Sequence, residues 1–397
     1  MIPRDDLAHA RLLLDTLGLG PQADAATLGA RWEGADHGAL VTLAKYEGAE
    51  LWLARRLRTL GVVLTGAAAA ALDAAASRSR ARNLRADAAL AAVLHAFHAT
   101  QVECVLLKSA ALRQLTGRLP LGDARASADV DLLVSEAEGD NALGILRARG
   151  WELVTLPSES LTGADARPSA GERGTWRASR AVIPAHHLPS VADRSGVAIE
   201  LHLSTGPTVR PLEAWRRAMS DRATVTVDGM SAGVPSDSWL LVHAVAHALG
   251  DTEERARAGL RLRYWLDGAL LIAGGQVRWQ TVRERVESGE LGPPQLARTW
   301  LWTAAELAGR PAGIDELGRG DLAALQLDRM LAWRLHVLER HDAGARWGRK
   351  LLEEGARIEA GLGTEMPWKP QPVSVRIRQR LSQWAARAAW WGWRARL

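Results

Sequence analysis

The sequence predicts an α+β protein in which a small α/β core lies between an N-terminal and a C-terminal helical region. Helical periodicity with frequent alanine extends to about residue 100, and helical periodicity returns after residue 237. Between these regions, short aliphatic and β-branched runs alternate with helical segments, an order that favours a sheet covered by helices. We therefore expect four parts: a helical region at 1–100, the core at 101–235, a helical domain at 236–366 and a final helix at 373–397.

The N-terminal helices are predicted from stripes of apolar residues at helical spacing. The first stripe consists of Leu7, Ala10, Leu14 and Leu17. A second stripe, Leu53, Leu57 and Leu60, indicates a helix that begins as early as Leu40. The alanine-rich stretch from Ala67 to Phe97 predicts a long helix, because alanine has the highest helix propensity.

The core is predicted as strand, helix, strand, helix, strand. These segments are Val102–Leu107, Lys108–Gly117, Asp129–Val134, Ala137–Arg149 with Gly150 as its cap, and Trp151–Leu156. Glycine, proline and arginine are frequent in residues 157–185, which predicts a long mobile loop. Two hairpins follow, one pairing His187–Val191 with Val197–Leu203 and one turning at Asp228-Gly229 after Thr224–Val227.

Composition narrows the class of protein. Apolar residues make up 47% of the 397-residue chain, enough for a packed core. The net charge of +5 weakly favours phosphate-bearing partners, but acidic and basic residues are interspersed, which argues against a protein that coats nucleic acid. The single cysteine, Cys104, excludes an internal disulfide framework and favours a reducing compartment, so we expect a cytoplasmic protein. We find no signal-peptide pattern and no uncharged apolar run of membrane-spanning length.

Acidic residues on two of the predicted strands are the main indication of function. Asp129 and Asp131 lie two residues apart at the start of an apolar run. Because side chains alternate along a strand, both carboxylates share a face, with Cα atoms roughly 6–7 Å apart. Glu200 and His202 likewise share one face of the later strand. If the strands meet, three carboxylates converge, a set that suits two Mg²⁺ ions and phosphoryl-type displacement, and Glu200 can take a proton from an attacking hydroxyl.

Several short motifs resemble the uncharacterised nucleotidyltransferase family of the polymerase-β-like superfamily. These motifs are Leu106-Leu107-Lys108-Ser109, Arg125, Asp129-Val130-Asp131-Leu132-Leu133-Val134, Ile199-Glu200-Leu201-His202, Leu240–His247 and Arg263-Tyr264-Trp265-Leu266-Asp267. The resemblance covers roughly residues 85–285. It implies a mixed sheet with helical flanks, dependence on Mg²⁺ or Mn²⁺, an NTP as donor, and a nucleotidyltransferase core at 101–235.

The resemblance also implies roles for individual residues. Asp129, Asp131 and Glu200 would be the metal ligands and catalytic carboxylates. Residues facing the nucleotide would be Lys108, Ser109, Arg125 and His202. In addition, we expect the acceptor or the helical wall of the site to involve His187, His247, Arg263 and Asp267. Ser109 departs from the family pattern, because glycine usually follows the lysine where the backbone approaches phosphate.

The residues leave several alternatives open. His243 and His247 have the i, i+4 spacing of a zinc pair, but a helical wall or a satisfied core pair is the favoured interpretation. Asp267 and Arg263 lie one helical turn apart and could pair with each other. The basic, Trp-bearing helix at 373–397 could contact a membrane surface, although docking on protein is favoured.

Three functions are consistent with the sequence. The leading hypothesis is a nucleotidyltransferase that moves an NMP from an NTP to a small-molecule or peptide acceptor and releases pyrophosphate. The alternatives are a catalytically degenerate scaffold with a binding or regulatory role and a phosphotransferase that uses the same carboxylates.

Overall fold

The computed structural model describes residues 3–19, 25–115, 118–119, 121–127, 129–154, 188, 190–205, 209–249, 261–311, 313–318 and 326–340. Its helices are α1 (Arg4–Leu17), α2 (Ala25–Glu33), α3 (His37–Glu47), α4 (Glu50–Leu60), α5 (Gly66–Ala99), α6 (Lys108–Gln114), α7 (Gly139–Ala148), α8 (Pro211–Ser220), α9 (Asp237–Leu249), α10 (Leu262–Ala273), α11 (Trp279–Glu287), α12 (Pro294–Ala308) and α13 (Leu327–Arg340). Its strands are β1 (Cys104–Leu106), β2 (Asp129–Val134), β3 (Glu152–Leu153), β4 (Val191–Ala192), β5 (Ala198–His202), β6 (Ala223–Val227) and β7 (Met230–Val234). The predicted α+β class with a mixed sheet and helical flanks is confirmed.

The strands of the described residues form a seven-stranded mixed sheet in the order β3-β4-β5-β2-β1-β7-β6. Strand β2 lies in the interior of the sheet, antiparallel to β1 and parallel to β5. In the β2–β5 register, Asp131 is opposite Glu200 and Asp129 is opposite Ala198. The sheet therefore brings together the two segments that carry the acidic residues.

Helices occupy the N-terminal region as predicted, but one predicted helix is divided. The stripe beginning at Leu40 belongs to α3 and α4, which are separated at Gly48. Gly48 has a φ of 70°, and its N–H donates to the carbonyls of Ala44 and Lys45. This left-handed residue ends α3 in the way that glycine commonly ends helices. The prediction of one continuous helix from Leu40 was therefore wrong.

Both predicted hairpins form. Strands β4 and β5 pair antiparallel, as do β6 and β7. Asp228 and Gly229 have φ values of 49° and 77°, the left-handed conformations that a two-residue hairpin turn requires. The predicted loop at 157–185, His187 and the helix at 373–397 lie outside the described residues.

One hydrophobic cluster includes side chains from the N-terminal helices, the sheet and the C-terminal helices. Trp32, Trp52, Trp265 and Trp300 are each almost completely buried in it. The domain boundaries at 100/101 and 235/236 remain predictions. Within the described ranges, no helix is both long enough and apolar enough to cross a membrane.

A buried ion pair links the N-terminal helices to the last described helix. Glu47 and Arg334 have no exposed side-chain surface, and Arg334 Nη1 lies 2.8 Å from Glu47 Oε1. The backbone N–H of Leu262 donates to Glu47 Oε2 at 2.7 Å. Glu47 therefore joins the end of α3 to α13 and to the start of α10.

Candidate active site

The sheet register places Asp131 beside Glu200, with His202 one alternation further along β5. Ligand atoms of Asp131, Glu200 and His202 all lie within 4.8 Å of one another. Asp131 is 1% exposed, whereas Glu200 and Asp129 are partly exposed. The strands thus gather acidic and imidazole side chains into one cluster with an open side.

Two basic groups converge on one oxygen of Asp131. Lys108 Nζ lies 2.6 Å from Asp131 Oδ1, and His202 Nε2 lies 2.8 Å from the same atom. Burial alone would raise the pKa of Asp131, but Lys108 and His202 outweigh it and hold the pKa well below its usual range. The carboxylate is therefore ionised at neutral pH.

The second oxygen of Asp131 is buried and has no hydrogen-bond partner among the described residues. A buried carboxylate oxygen that lacks a partner is costly and uncommon. A cation bound at this oxygen would satisfy it.

Glu200 belongs to this cluster, whereas Asp129 interacts with Asp131 and Glu200 through its charge and is not one of the three residues whose ligand atoms lie together. Glu200 Oε2 lies 3.6 Å from His202 Nε2 and 3.9 Å from Lys108 Nζ. The nearby His202 imidazole is the main reason that the pKa of Glu200 is lowered. Burial and the nearby Asp131 charge instead raise the pKa of Asp129. The carboxylates therefore differ in how readily they ionise, and a bound cation would favour the charged form of Asp129.

Lys108 reaches the cluster from the β1–α6 junction. Its φ is 45°, in the left-handed region that residues other than glycine seldom adopt. The N–H of the preceding residue, Leu107, donates to the Asp131 carbonyl at 3.0 Å, which fixes this junction to β2. Backbone strain of this kind is concentrated at functional sites.

Ser109 is buried, and its hydroxyl lies 2.7 Å from that of Ser127. Ser127 Oγ donates its proton to the Asp129 carbonyl at 2.5 Å, so Ser109 must be the donor in the serine pair. The Ser109 hydroxyl thus supports the entry to β2. Whether it also faces phosphate stays a prediction.

Asn83 of α5 holds the segment that leads into β2. Its Oδ1 accepts from the Ser127 N–H at 2.9 Å, and its Nδ2 donates to the Arg125 carbonyl at 3.0 Å. Arg113 of α6 donates to the same Oδ1 at 3.3 Å. Sequence reasoning missed Asn83 and Ser127. Asn83 is a buried polar residue within an alanine-rich helix, and that exception to the pattern was the available signal.

Arg125 and Asp267 form an ion pair across the core and the C-terminal helices. Arg125 Nε lies 2.5 Å from Asp267 Oδ1, and both side chains are largely buried. The suggested pairing of Asp267 with Arg263 is therefore wrong. Arg263 instead donates to the Tyr264 hydroxyl at 2.9 Å, with its guanidinium over that ring. The Arg125 guanidinium contacts the Asp267 carboxylate directly, whereas Arg263 acts on it only through its charge.

A line of aromatic rings leads from the cluster into the helices. The ring centroids of His202 and His243 are 6.3 Å apart, those of His243 and His247 are 6.4 Å apart, and those of His247 and Tyr264 are 5.6 Å apart. Burial is the main cause that lowers the pKa of His243 well below its usual value. His243 is therefore neutral at physiological pH. Of the predicted acceptor residues, the structure puts His247, Arg263 and Asp267 on these helices.

Known proteins resemble this chain to different degrees. No curated protein matches the chain at a significant level. Among solved structures, the crystal structure of an antigenic nucleotidyltransferase-like protein from Paracoccidioides brasiliensis shares 13% identity. That match covers 58% of this chain and 96% of the other, with a TM-score of 0.30, at which it supports no inference. A family model described as uncharacterised nucleotidyltransferase matches residues 33–309, well over half of the chain, and the chain therefore belongs to this family.

Proposed function

We propose that the protein is an enzyme that transfers an NMP from an NTP to a hydroxyl or phosphate group of a small-molecule or peptide acceptor, with release of pyrophosphate. The family supports nucleotidyl transfer in general. The observation that carries the proposal is the pairing of Asp131 with Glu200 on adjacent parallel strands inside the family-matched region.

The donor set fits a divalent cation. Asp131 has a buried oxygen without a partner among the described atoms, and ligand atoms of Asp131, Glu200 and His202 lie within 4.8 Å of one another. We propose that Asp129, Asp131 and Glu200 hold Mg²⁺ or Mn²⁺, both of which accept carboxylate oxygens. When bound, the cation would neutralise charge on the triphosphate and on the leaving pyrophosphate.

Residues of the chain itself bind phosphate and accept the proton. Lys108 carries a positive charge beside the carboxylates, which is suited to binding a phosphate oxygen. Glu200 is ionised and partly exposed, so it can accept the proton of the attacking acceptor hydroxyl. The acceptor oxygen forms a bond to the α-phosphorus as the bond from that phosphorus to the bridging oxygen breaks, and pyrophosphate leaves. We propose that the acceptor lies between the sheet and the helices after residue 237.

We propose that the protein acts in the cytoplasm. We also propose that its acceptor is not a nucleic acid. The single cysteine suits a reducing compartment. Burial raises the pKa of the Cys104 thiol to about 12, so this residue offers no reactive thiolate at neutral pH.

The test is product analysis by mass spectrometry with each NTP, Mg²⁺ or Mn²⁺ and a panel of candidate acceptors. Release of pyrophosphate with an NMP-modified acceptor supports the proposal. Release of NDP would indicate a phosphotransferase, and no turnover together with NTP binding would indicate a degenerate binding protein.

Asp131→Asn should be measured in parallel, with the exposed Asp15→Asn as the matched control. Loss of one preorganised electrostatic contact in an active site typically costs about 10²–10³-fold in kcat, so we expect at least that loss. Asp15→Asn should retain parental activity. If Asp131→Asn keeps the parental rate while its near-UV circular dichroism is unchanged, the assignment of the site is wrong.

A further inference from the structure

The Lys108 ammonium contacts Asp131 and lies near Glu200, two of the carboxylates that a bound cation would share. Its ammonium is 2.6 Å from Asp131 Oδ1 and 3.9 Å from Glu200 Oε2. The Lys108 side chain is 18% exposed, so this ammonium is partly shielded from solvent and its charge is poorly screened. The carboxylates therefore already have a resident cation in this structure.

From this contact we infer that metal binding at the site is gated by the nucleotide through Lys108. This inference rests on the proposed function and concerns the regulation of the same site. A divalent ion that binds Asp131 must either displace the Lys108 ammonium or tolerate its repulsion at close range. A triphosphate offers the ammonium a new anionic partner and thereby releases Asp131 for the metal.

The geometry of Lys108 allows such a movement. The ammonium sits at the end of a flexible four-carbon side chain that can turn between two anionic partners. The residue itself stands at the strained β1–α6 junction, with a φ of 45°. His202 keeps its own contact with Asp131 Oδ1 at 2.8 Å, so that oxygen is not left without a donor when Lys108 moves.

The effects of nucleotide and metal on each other's binding must be mutual. If the nucleotide strengthens metal binding by removing Lys108 from Asp131, the metal must strengthen nucleotide binding by the same factor. A variant of Lys108 that lacks the ammonium but keeps the length of the side chain should no longer couple metal binding to nucleotide binding. Metal would then bind tightly without any nucleotide.

The experiment measures Mn²⁺ retained by the full-length protein in equilibrium dialysis, without nucleotide and with a non-hydrolysable NTP analogue. Mn²⁺ in a protein-free chamber of the same composition is subtracted. The variants are Lys108→Met, Lys108→Arg and, as the matched control, the exposed Lys45→Met.

Without nucleotide, we expect Lys108→Met to bind Mn²⁺ about tenfold more tightly than the parent, within the usual range of coupling between sites. The analogue should strengthen Mn²⁺ binding to the parent by about the same factor and leave Lys108→Met nearly unchanged. Lys108→Arg and Lys45→Met should bind Mn²⁺ without nucleotide as weakly as the parent.

Failure of this inference can be distinguished from failure of the proposed function. If Lys108→Met binds Mn²⁺ with parental or weaker affinity in the absence of nucleotide, the gating by Lys108 is refuted while the metal site stands. If no variant retains Mn²⁺ with or without the analogue, both the gating and the proposed function are refuted.

Discussion

Replacing Glu47 with glutamine removes one charge from the buried ion pair between α3 and α13. Arg334 would keep its positive charge with no exposed surface, facing a neutral amide at about the same distance. Breaking a buried pair by removing one partner typically costs about 3–5 kcal/mol, because the remaining charge stays desolvated. The glutamine oxygen can still accept from either Arg334 or the Leu262 N–H, so we expect a loss of about 3 kcal/mol.

The assay is urea-induced unfolding followed by tryptophan fluorescence, which reports on the buried tryptophans. Asp15→Asn is the matched control, because it removes a carboxylate from the pair with Arg31. The two side chains of that pair are 48% and 37% exposed, so we expect it to contribute less than about 1 kcal/mol.

A double replacement separates the cost of removing one charge from the contribution of the ion pair itself. Glu47→Leu combined with Arg334→Met removes both charges and should be closer to the parent than Glu47→Gln is. If Glu47→Gln changes the free energy of unfolding no more than Asp15→Asn does, the reasoning from buried charge is refuted.

Three further predictions concern the site and its supports. Asn83→Ala removes both hydrogen bonds to the segment that enters β2, and we expect a loss of about 1–3 kcal/mol in unfolding free energy with a lower kcat. A parental kcat would show that Asn83 does not position the site. The pKa of His243 is lowered in the folded protein, so stability is full above the unfolded pKa and falls as pH decreases below about 6.5. Between pH 6.5 and 5.5, the parent should lose up to about 1.4 kcal/mol of unfolding free energy through His243, and His243→Gln should not show this loss. Urea midpoints with the same pH profile in the parent and the variant would contradict this. Gly268→Ala would bring a Cβ to 2.6 Å from the Trp300 ring and should cost about 1–3 kcal/mol in unfolding free energy. The control Gly144→Ala meets no atom within 4 Å and should be neutral or stabilising, so equal effects of the two changes in urea unfolding would refute the packing argument.

Local patterns were sufficient for most of the secondary structure. The apolar, β-branched run that begins with the paired aspartates predicted β2 with the bounds that it has, Asp129–Val134. The Asp228-Gly229 dipeptide predicted a hairpin because both residues tolerate the left-handed conformation that the turn needs. The division of one expected helix at Gly48 was missed, because a glycine within a helical pattern only weakens the helix unless the chain beyond it turns away.

The partners of the charged side chains were beyond local patterns. Arg125 lies far from Asp267 in sequence, and nothing in their spacing indicates that they pair. Asn83 contacts Ser127 only because α5 packs beside the entry to β2. Such contacts depend on which faces of distant elements meet, a property of the packed fold.

The sequence by itself determined the α+β class, the shared face of Asp129 and Asp131, and the shared face of Glu200 and His202, since these follow from the period of the backbone. Only the tertiary structure decided that Asp131 stands opposite Glu200 and that Lys108 lies on its carboxylate. Strand order and register are set by burial of the whole core, and the electrostatics of a site depend on distances that no single segment contains.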